Sequence, residues 1–388
     1  MKLMKTVLIS GLMMGTAMPL WAQENVLKIG ALVTMSGAGA SWGNAMLNGL
    51  RFAAEDHNEA GGLTVGDTTY RIDIIAYDDA YRANEAVTAV NRLVHDDQIR
   101  FMIGPVGSAP ALAVQPVTEA ANVIMLTLGF SDRILSANAP YTFRPNLTTA
   151  EISQPQIDWL VATQGVSTVG GLFPNDETGQ QVAQDVEAAY SQAGAELRAI
   201  EFFERDRVDF VPLLTRIMSR GVDAIELDGN APATTGQIVQ QARDLGFTGL
   251  MIRTGGPATQ DIVNVAGEAA AEGMLVHSGF NPEIEAAAAY QARHEAAYGP
   301  MNGFSPFFYD GARMLFAAIK AAGTVDDTDA VRTELRAITD FEGVQGPLSW
   351  SGEESYGSNQ QIDAPFFIAR IENGAEVIVA TCNLQSCE

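Results

Sequence analysis

The sequence predicts an α/β protein made of two doubly wound lobes. Short apolar runs alternate with amphipathic helical stretches along the chain, and this alternation is typical of parallel sheets covered by helices. It occurs in two successive sets of similar size, and a chain of 388 residues is too long for one ordinary core. No low-complexity linker separates the sets. We therefore expect short extended segments to cross between the lobes as a hinge.

The first set begins with a strand at 27–33, which leads through the glycine-rich turn 36–43 into a helix that ends at Gly61 and Gly62. The remaining elements of this set are a strand at 72–76, a helix through Val90, a strand at 101–103, a helix from about Pro110 and a strand at 123–127.

The second set has the same alternation. Its elements are a helix at 153–163, a strand at 167–172, a helix at 179–193, a strand at 196–202, a helix at 210–219, a strand at 223–227, a helix at 235–245 and a strand at 250–254. A strand at 274–279, helices at 283–297 and 306–322 and a short strand at 346–350 follow. The chain ends in a predicted hairpin, 366–371 and 376–381, because Asn373-Gly374 favours a type I′ turn.

The N-terminus has the layout of a secretory signal peptide. Lys2 and Lys5 precede an uncharged apolar run, and small residues then lead to Ala22, after which we expect cleavage. The run is too short to span a bilayer, which needs about 20 apolar residues. We therefore expect residues 1–22 to be removed and the mature protein to be exported to the periplasm.

The composition is strongly acidic and poor in cysteine. The chain has 23 Lys and Arg against 47 Asp and Glu residues, a net charge of −24, so we expect no nucleic acid and no anionic membrane as a partner. Cys382 and Cys387 are the two cysteines, and in an oxidising compartment they suit a disulfide that closes a small ring. The four histidines show no metal-ligand spacing. We expect no metal site.

Two glycine-containing loops follow neighbouring predicted strands, at the edge where open parallel sheets bind ligands. The first, GPVGS, ends at Ser108, beside a helix N-terminus whose free N–H groups could hold a carboxylate. Alternatively, Ser108 is only a helix cap. The second, TLGFS, offers close backbone approach at Gly129, an apolar wall at Phe130 and a hydroxyl at Ser131. The alternative here is an ordinary turn.

The glycine-rich turn after the first strand also has two interpretations. Trp42 within this predicted loop either forms a wall of the ligand site or packs between loops. The run 37–43 resembles a dinucleotide-binding fingerprint, but its last glycine comes one residue too late. The sequence contains no G-x-S-x-G, H-E-x-x-H or Walker lysine motif. We therefore predict a binding protein, with no catalytic residues and no cofactor.

In this order the motifs resemble those of the leucine/isoleucine/valine-binding proteins, the periplasmic family that supplies branched-chain amino acid ABC transporters. The similar segments are LKIGALVTMSGAGASWGNAMLNGLRFAAEDHNEAGG, YDDAYRANEAV, IGPVGS, YTFRPN, DFVPLLTRI, QQARDLGFTG, VAGEAAAEGMLV and YDGARML. No single segment is diagnostic, but their order over most of the mature chain is. The resemblance implies the type I periplasmic binding protein fold, a ligand held between the lobes, and an ABC permease at the inner membrane as partner.

We expect lobe 1 to comprise residues 25–147 and 276–347, and lobe 2 residues 148–275 and 348–388, in a monomer that closes about its hinge. The resemblance further implies that Ser108 and the loop 129–131 hold the α-carboxylate of the ligand. It also matches the aromatic positions of the family site to Trp42 and Phe304.

Two positions in the second lobe depart from the family pattern. Thr178 stands where the family has a tyrosine, and Gly255 stands at the position of an acidic partner for the ligand's ammonium group. A buried ammonium needs a charge partner, which Asp228 or Asp176 could supply. If neither does, the ligand is a carboxylate without an amino group, and Arg253 is a second anion anchor unless it turns outward to a surface carboxylate.

We therefore expect an aliphatic or branched-chain amino acid as the ligand, with an aromatic or aliphatic carboxylate as the alternative. A sensory subunit that docks on a receptor is a further alternative to a transport protein.

Overall fold

A computed structural model describes residues 25–37 and 39–388. The expected signal peptide, residues 1–22, lies outside this part of the chain. Within it, no helix is both long and apolar enough to cross a membrane. The strands are β1 (Asn25–Val33), β2 (Leu63–Val65), β3 (Thr68–Asp78), β4 (Phe101–Val106), β5 (Ile124–Leu128), β6 (Thr142–Phe143), β7 (Thr168–Pro174), β8 (Glu196–Phe203), β9 (Ala224–Glu226), β10 (Leu250–Arg253), β11 (Leu275–Ser278), β12 (Phe341–Gly343), β13 (Gly346–Ser351), β14 (Gln361–Asp363), β15 (Phe366–Glu372) and β16 (Ala375–Cys382).

Helices connect most of these strands, as the alternation of apolar patterns predicts. They are α1 (Ala40–Glu59), α2 (Ala83–Asn91), α3 (Ser108–Ala120), α4 (Thr149–Gln164), α5 (Glu177–Ala193), α6 (Val211–Met218), α7 (Pro232–Asp244), α8 (Thr259–Ala266), α9 (Glu268–Ala271), α10 (Glu285–Tyr298), α11 (Phe304–Ala322), α12 (Thr328–Arg336) and α13 (Glu353–Tyr356). A π-turn (Arg92–Asp96) extends α2, and a 3₁₀ turn (Asp132–Ile134) follows β5.

The two large sheets have the same internal strand order. The first runs β2-β3-β1-β4-β5-β6 and the second β16-β15-β11-β10-β9-β7-β8. Apart from the antiparallel strands β2, β15 and β16, neighbours are parallel in the doubly wound order 2-1-3-4-5. The predicted fold class is confirmed. In each sheet the order reverses beside the first strand, between β1 and β4 and between β7 and β9.

Strands β4 and β5 are apolar throughout because both faces of the sheet are covered. Phe101 and Ile103 of β4 point into a core that includes residues of α1 and α11, whereas Met102 points into a second core with residues of α2 and α3. Every residue of both strands is buried. Parallel strands covered on both faces read as continuous apolar runs rather than alternating ones, which explains how the sequence revealed them.

Three connections cross between the sheets, at residues 144–148, 279–284 and 337–365. The expected boundary at residue 276 falls inside β11, and all of β11 pairs with β10 and β15 of the second sheet. The first lobe therefore resumes only after Ser278. The sequence of a short apolar strand does not show which of two sheets the strand joins. The sequence alone could therefore not place this boundary after β11. The expected boundary at 348 falls inside β13, which forms a small separate sheet with β12 and β14.

The C-terminal hairpin is formed as predicted. β15 pairs with β16 in an antiparallel register around Asn373 and Gly374, whose φ angles of 52° and 79° are both positive, as a type I′ turn requires. A disulfide joins Cys382 at the end of β16 to Cys387, and the predicted pairing of the two cysteines is confirmed.

Candidate functional site

A small cavity lies between the carboxyl ends of the strands of the two sheets. Ligands of doubly wound folds bind at this edge, beside the point where the strand order reverses. The lining residues from the first lobe are Trp42, Tyr81, Val106, Gly107, Leu128, Phe130 and Phe304, and those from the second are Thr178, Asp228, Gly229, Arg253 and Gly256. Six of the nine residues predicted for the ligand site therefore line one cavity.

The wall contributed by the first lobe is mainly aromatic. Trp42 was expected in a loop, and this is wrong, because α1 begins two residues earlier, at Ala40. Trp42 lies in the first turn of this helix. Phe304 is the first residue of α11, and both side chains are buried. The indole Nε1 of Trp42 is buried and has no hydrogen-bond partner in the described part of the chain. Trp42 can therefore offer a ligand both a ring face and a donor.

Ser108 does not cap α3, contrary to one of its two interpretations. The N-cap position belongs to Gly107, whose φ is 90°, and Ser108 is the first helical residue. The Ser108 hydroxyl oxygen instead accepts hydrogen bonds from the N–H groups of Phe130 and Ser131, both at 3.0 Å, and from the Thr178 hydroxyl at 2.9 Å. The Ser108 N–H donates to Thr178 Oγ1 at 3.1 Å. Ser108 thus joins the loop after β5 to helix α5 of the other lobe.

Gly129 and Ser131 lie directly behind the cavity lining. A Cβ atom on Gly129 would come within 2.3 Å of Ile134 Cδ1, so a side chain at this position would have to displace the end of the Ile134 side chain. The Ser131 hydroxyl donates to Glu177 Oε1 of the second lobe at 3.0 Å. Neither residue contributes to the lining itself, but both hold the loop that carries Phe130.

Asp228 is the acidic group of the cavity. It follows β9, is fully buried, and accepts hydrogen bonds from the Thr149 hydroxyl at 2.5 Å and the Gly229 N–H at 2.6 Å. Burial raises the pKa of this carboxyl, and the nearby positive charge of Arg253 opposes the rise. A Cβ atom on Gly255 would lie 2.7 Å from Asp228 Oδ2. The Asp228 carboxylate therefore occupies space that any side chain at position 255 would need.

Asp176, the other predicted ammonium partner, is used elsewhere. Its carboxylate forms a two-point ion pair with Arg205, one contact of which measures 3.1 Å, and it caps α5 through the Gly179 N–H at 3.0 Å. It does not line the cavity. Of the two candidates, only Asp228 is placed to meet a ligand.

Arg253 lines the cavity, so the outward interpretation is wrong, but its guanidinium is largely occupied. Nε donates to the Gly256 carbonyl at 2.6 Å, Nη1 to the Leu227 carbonyl at 3.2 Å and the Thr235 hydroxyl at 2.8 Å, and Nη2 to the Asn230 carbonyl at 2.9 Å. Four of its five N–H groups are thus used. Arg253 mainly ties the loops after β9 and β10 to helix α7, and among the described residues no acceptor is found for one Nη2–H, which is left for a ligand.

Tyr81 is a lining residue that the sequence reasoning missed. It follows β3 with a φ of 59°, and the Arg205 guanidinium lies 4.8 Å from the centre of its ring. A Cβ atom on Gly107 would come within 2.6 Å of the Tyr81 hydroxyl oxygen. Burial raises the Tyr81 pKa, so the hydroxyl stays protonated. The available signal was an aromatic residue just beyond a predicted strand end, the same signal that singled out Trp42.

Comparison with known proteins gives consistent matches over most of the chain. The sequence matches the model of a family described as periplasmic binding protein over residues 26–376. An amino acid binding protein of Pseudomonas aeruginosa is 26% identical over 326 residues, which cover 83% of this chain and 85% of that protein. The leucine-specific-binding protein of Salmonella typhimurium is 25% identical over 336 residues, 85% of this chain and 88% of the relative.

The names of solved structures with the same fold mention different ligands. A leucine binding protein from Thermotoga maritima superposes with a TM-score of 0.81 at 22% identity and covers 92% of this chain and 99% of its own. A solute binding protein of an ABC transporter from R. palustris, in complex with benzoate, has a TM-score of 0.80 at 19% identity and covers 92% of this chain and 97% of its own.

Proposed function

Because the chain belongs to the periplasmic binding protein family, we propose that it is the solute-binding subunit of an ABC importer and closes on an amino acid with an apolar side chain. The family match confirms the resemblance drawn from the sequence motifs. The names of the relatives, an amino acid binding protein and a leucine-specific-binding protein, support this ligand class. The role is binding and delivery to a membrane permease from the periplasm, without catalysis.

The carboxylate of the ligand is received by the first lobe. The buried N–H groups of Phe130 and Ser131 and the hydroxyl of Ser108 form a cluster of donors behind the cavity wall. In this conformation Thr178 Oγ1 accepts the Ser108 N–H from the opposite lobe. A ligand carboxylate offers stronger acceptors than the hydroxyl of Thr178, so it would compete for the same donors.

The ammonium group is received by Asp228. The observation that carries the proposal is the buried carboxylate of Asp228 in the cavity wall. Gly255 replaces the acid expected from the family pattern, yet Asp228 places a carboxylate within 2.7 Å of where a side chain at 255 would begin. The charge is therefore supplied from the neighbouring strand end. An ammonium ion would also compensate the burial of Asp228, because a buried ion without a partner is costly.

The apolar part of the ligand faces aromatic and aliphatic side chains. Trp42, Phe130 and Phe304 together with Val106 and Leu128 form this surface. Closure brings these residues and those of the second lobe onto one molecule. A ligand that contacts both lobes stabilises the closed state by its higher affinity for that state, and the permease would recognise the closed form.

An Asp228→Asn substitution tests the assignment. The variant keeps the size and the acceptor oxygen of the side chain but removes its charge. We expect the affinity for L-leucine, measured by titration calorimetry, to fall by about 1.5–3 kcal/mol, the range for hydrogen bonds to charged groups. Benzoate has no ammonium group, so its binding should be unchanged or stronger in this variant.

Asp185→Asn is the matched control, because Asp185 is a largely buried acid on α5 that does not line the cavity. It should leave the affinity for L-leucine unchanged. If wild-type protein binds benzoate and not L-leucine, and Asp228→Asn strengthens benzoate binding, the amino acid assignment is wrong and the aromatic carboxylate alternative replaces it.

A further inference from the structure

The side chain of Arg144 uses all five of its N–H groups within the hinge. Arg144 begins the first crossing segment, directly after β6, and its side chain is fully buried. Nε donates to Gln361 Oε1 at 2.5 Å, and Nη2 donates to Glu151 Oε1 at 3.1 Å and to the Tyr356 hydroxyl at 2.8 Å. Nη1 donates to the carbonyls of Gly129 and Ser131, both at 3.3 Å. These acceptors come from both lobes and from the third crossing segment.

The backbone of Arg144 is tied to the same place. Its N–H donates to the Gln360 carbonyl at 2.8 Å, and its carbonyl accepts from the Ile362 N–H at 3.0 Å. The first and third crossing segments therefore run side by side at this residue. Any rotation of one lobe about these segments changes the surroundings of the Arg144 guanidinium.

The two carbonyls held by Nη1 belong to the loop that we assign to the ligand carboxylate. The Gly129 carbonyl and the Phe130 N–H are the two ends of one planar trans peptide unit, so they point in opposite directions. Arg144 holds the oxygen end, and Ser108 Oγ accepts from the N–H end at 3.0 Å. The guanidinium thereby fixes the direction in which this N–H points.

Arg144 also holds the peptide unit between Ser131 and Asp132, which forms a hydrogen bond with the second lobe. Its oxygen end is the Ser131 carbonyl, and its N–H end, on Asp132, donates to Gln181 Oε1 of α5 at 3.3 Å. Glu151, which accepts from Nη2, also caps α4 through the Thr148 N–H at 2.8 Å. One side chain thus contacts the carboxylate-binding loop, a helix of the second lobe and the third crossing segment.

From these contacts we propose that Arg144 is a positioning residue, which orients the peptide groups of the carboxylate-binding loop and couples their orientation to closure of the lobes. The ligand contact belongs to the proposed function above, on which this inference rests. Arg144 itself does not line the cavity. It acts through the loop 129–131 and through the hinge.

Arg144→Lys tests the inference, because lysine keeps the charge but cannot hold five acceptors in the planar fork of arginine. We expect amide hydrogen exchange at Phe130 and Ser131 to become about tenfold faster in the absence of any added solute, since local opening of the loop becomes easier. We expect the dissociation constant for L-leucine to rise about tenfold, and small-angle scattering at saturating L-leucine to show a larger radius of gyration than for wild type.

Arg243→Lys is the matched control. Arg243 is half-buried, whereas Arg144 is fully buried, and its hydrogen bonds within the described residues go to the backbone carbonyls of Phe247, Gly249 and Ala270 at the C-terminal end of α7. This variant should change neither the exchange at Phe130 nor the affinity. If Arg144→Lys does not fold, Tyr356→Phe can replace it, because it removes one partner of Arg144 Nη2. We then expect smaller increases in amide exchange at Phe130 and Ser131 and in the dissociation constant for L-leucine.

The exchange measurement separates this inference from the proposed function. If wild-type protein does not bind L-leucine, the ligand assignment fails, and the exchange rates at Phe130 and Ser131 still decide the role of Arg144. Unchanged exchange rates at these two amides in the folded variants, relative to Arg243→Lys, would overturn the positioning role.

Discussion

Replacing Ser108 by alanine should clearly lower the free energy of unfolding. The Ser108 hydroxyl oxygen accepts three hydrogen bonds, from the N–H groups of Phe130 and Ser131 and from the hydroxyl of Thr178, at a fully buried position. In Ser108→Ala the Thr178 hydroxyl can rotate to another acceptor, but the two backbone N–H groups cannot. Each buried donor without a partner costs about 1–3 kcal/mol. We therefore expect the free energy of unfolding to fall by about 3 kcal/mol, allowing for some rearrangement of the loop.

Equilibrium urea unfolding measures this loss from the shift in midpoint. Ser305→Ala is the control, because Ser305 is equally buried in the first lobe but shares one hydrogen bond, with the Tyr290 hydroxyl at 2.7 Å. Its loss should cost about 1 kcal/mol, the usual net value of one such bond. A Ser108→Ala loss no larger than that of Ser305→Ala would refute the reasoning that Ser108 satisfies the loop 129–131.

Two further predictions concern buried charges in the second lobe. Arg253→Ala should lower the free energy of unfolding by at least about 2 kcal/mol, because the buried carbonyls of Gly256 and Asn230 lose their donor, whereas that of Leu227 keeps Asn230 Nδ2; a urea midpoint like that of wild type would contradict this. Burial raises the pKa of Asp185 to about 7 from 3.8, so the folded state binds its proton more tightly than the unfolded state. The resulting penalty is absent below pH 4, grows as the pH rises to 7 and is complete above it. Asp185→Asn should therefore be more stable than wild type by about 2 kcal/mol at pH 8, with the gain disappearing near pH 4, and a gain independent of pH would show that the charge is not its cause.

The order of the main strands and helices followed from the sequence because burial on both faces makes a strand apolar throughout. Strands such as β4 and β5 stand out for this reason. The helices α8 and α12 were missed. The strands β2, β6, β12 and β14 were missed too, and they have two or three residues each. Strands this short contain hardly more than one two-residue repeat, which is too few to recognise as a pattern. Their pairing is decided by the neighbouring strands and not by their own composition.

The position of the site could be predicted, but the orientation of its side chains could not. Phe130 was found because strand ends of parallel sheets meet at one edge, and Trp42 because it lies in the first predicted glycine-rich loop. Asp228 was found as a possible partner for the ligand's ammonium group, and Phe304 only through the resemblance to the family. The orientation of Arg253 depends on carbonyls from loops that are distant in sequence, and no local pattern encodes them. Likewise, the sequence placed Arg144 only within a family segment, because its five acceptors come together only in the fold.

The affinity difference between L-leucine and 4-methylpentanoate tests the central claim most directly. The two molecules share the carboxylate and the branched chain, and the second lacks the amino group. We expect titration calorimetry to find L-leucine bound about a hundredfold more tightly in wild type, because an ammonium group paired with buried Asp228 contributes about 2.7 kcal/mol. We expect Asp228→Asn to remove most of this difference. Equal or tighter binding of 4-methylpentanoate by wild-type protein would contradict the central claim.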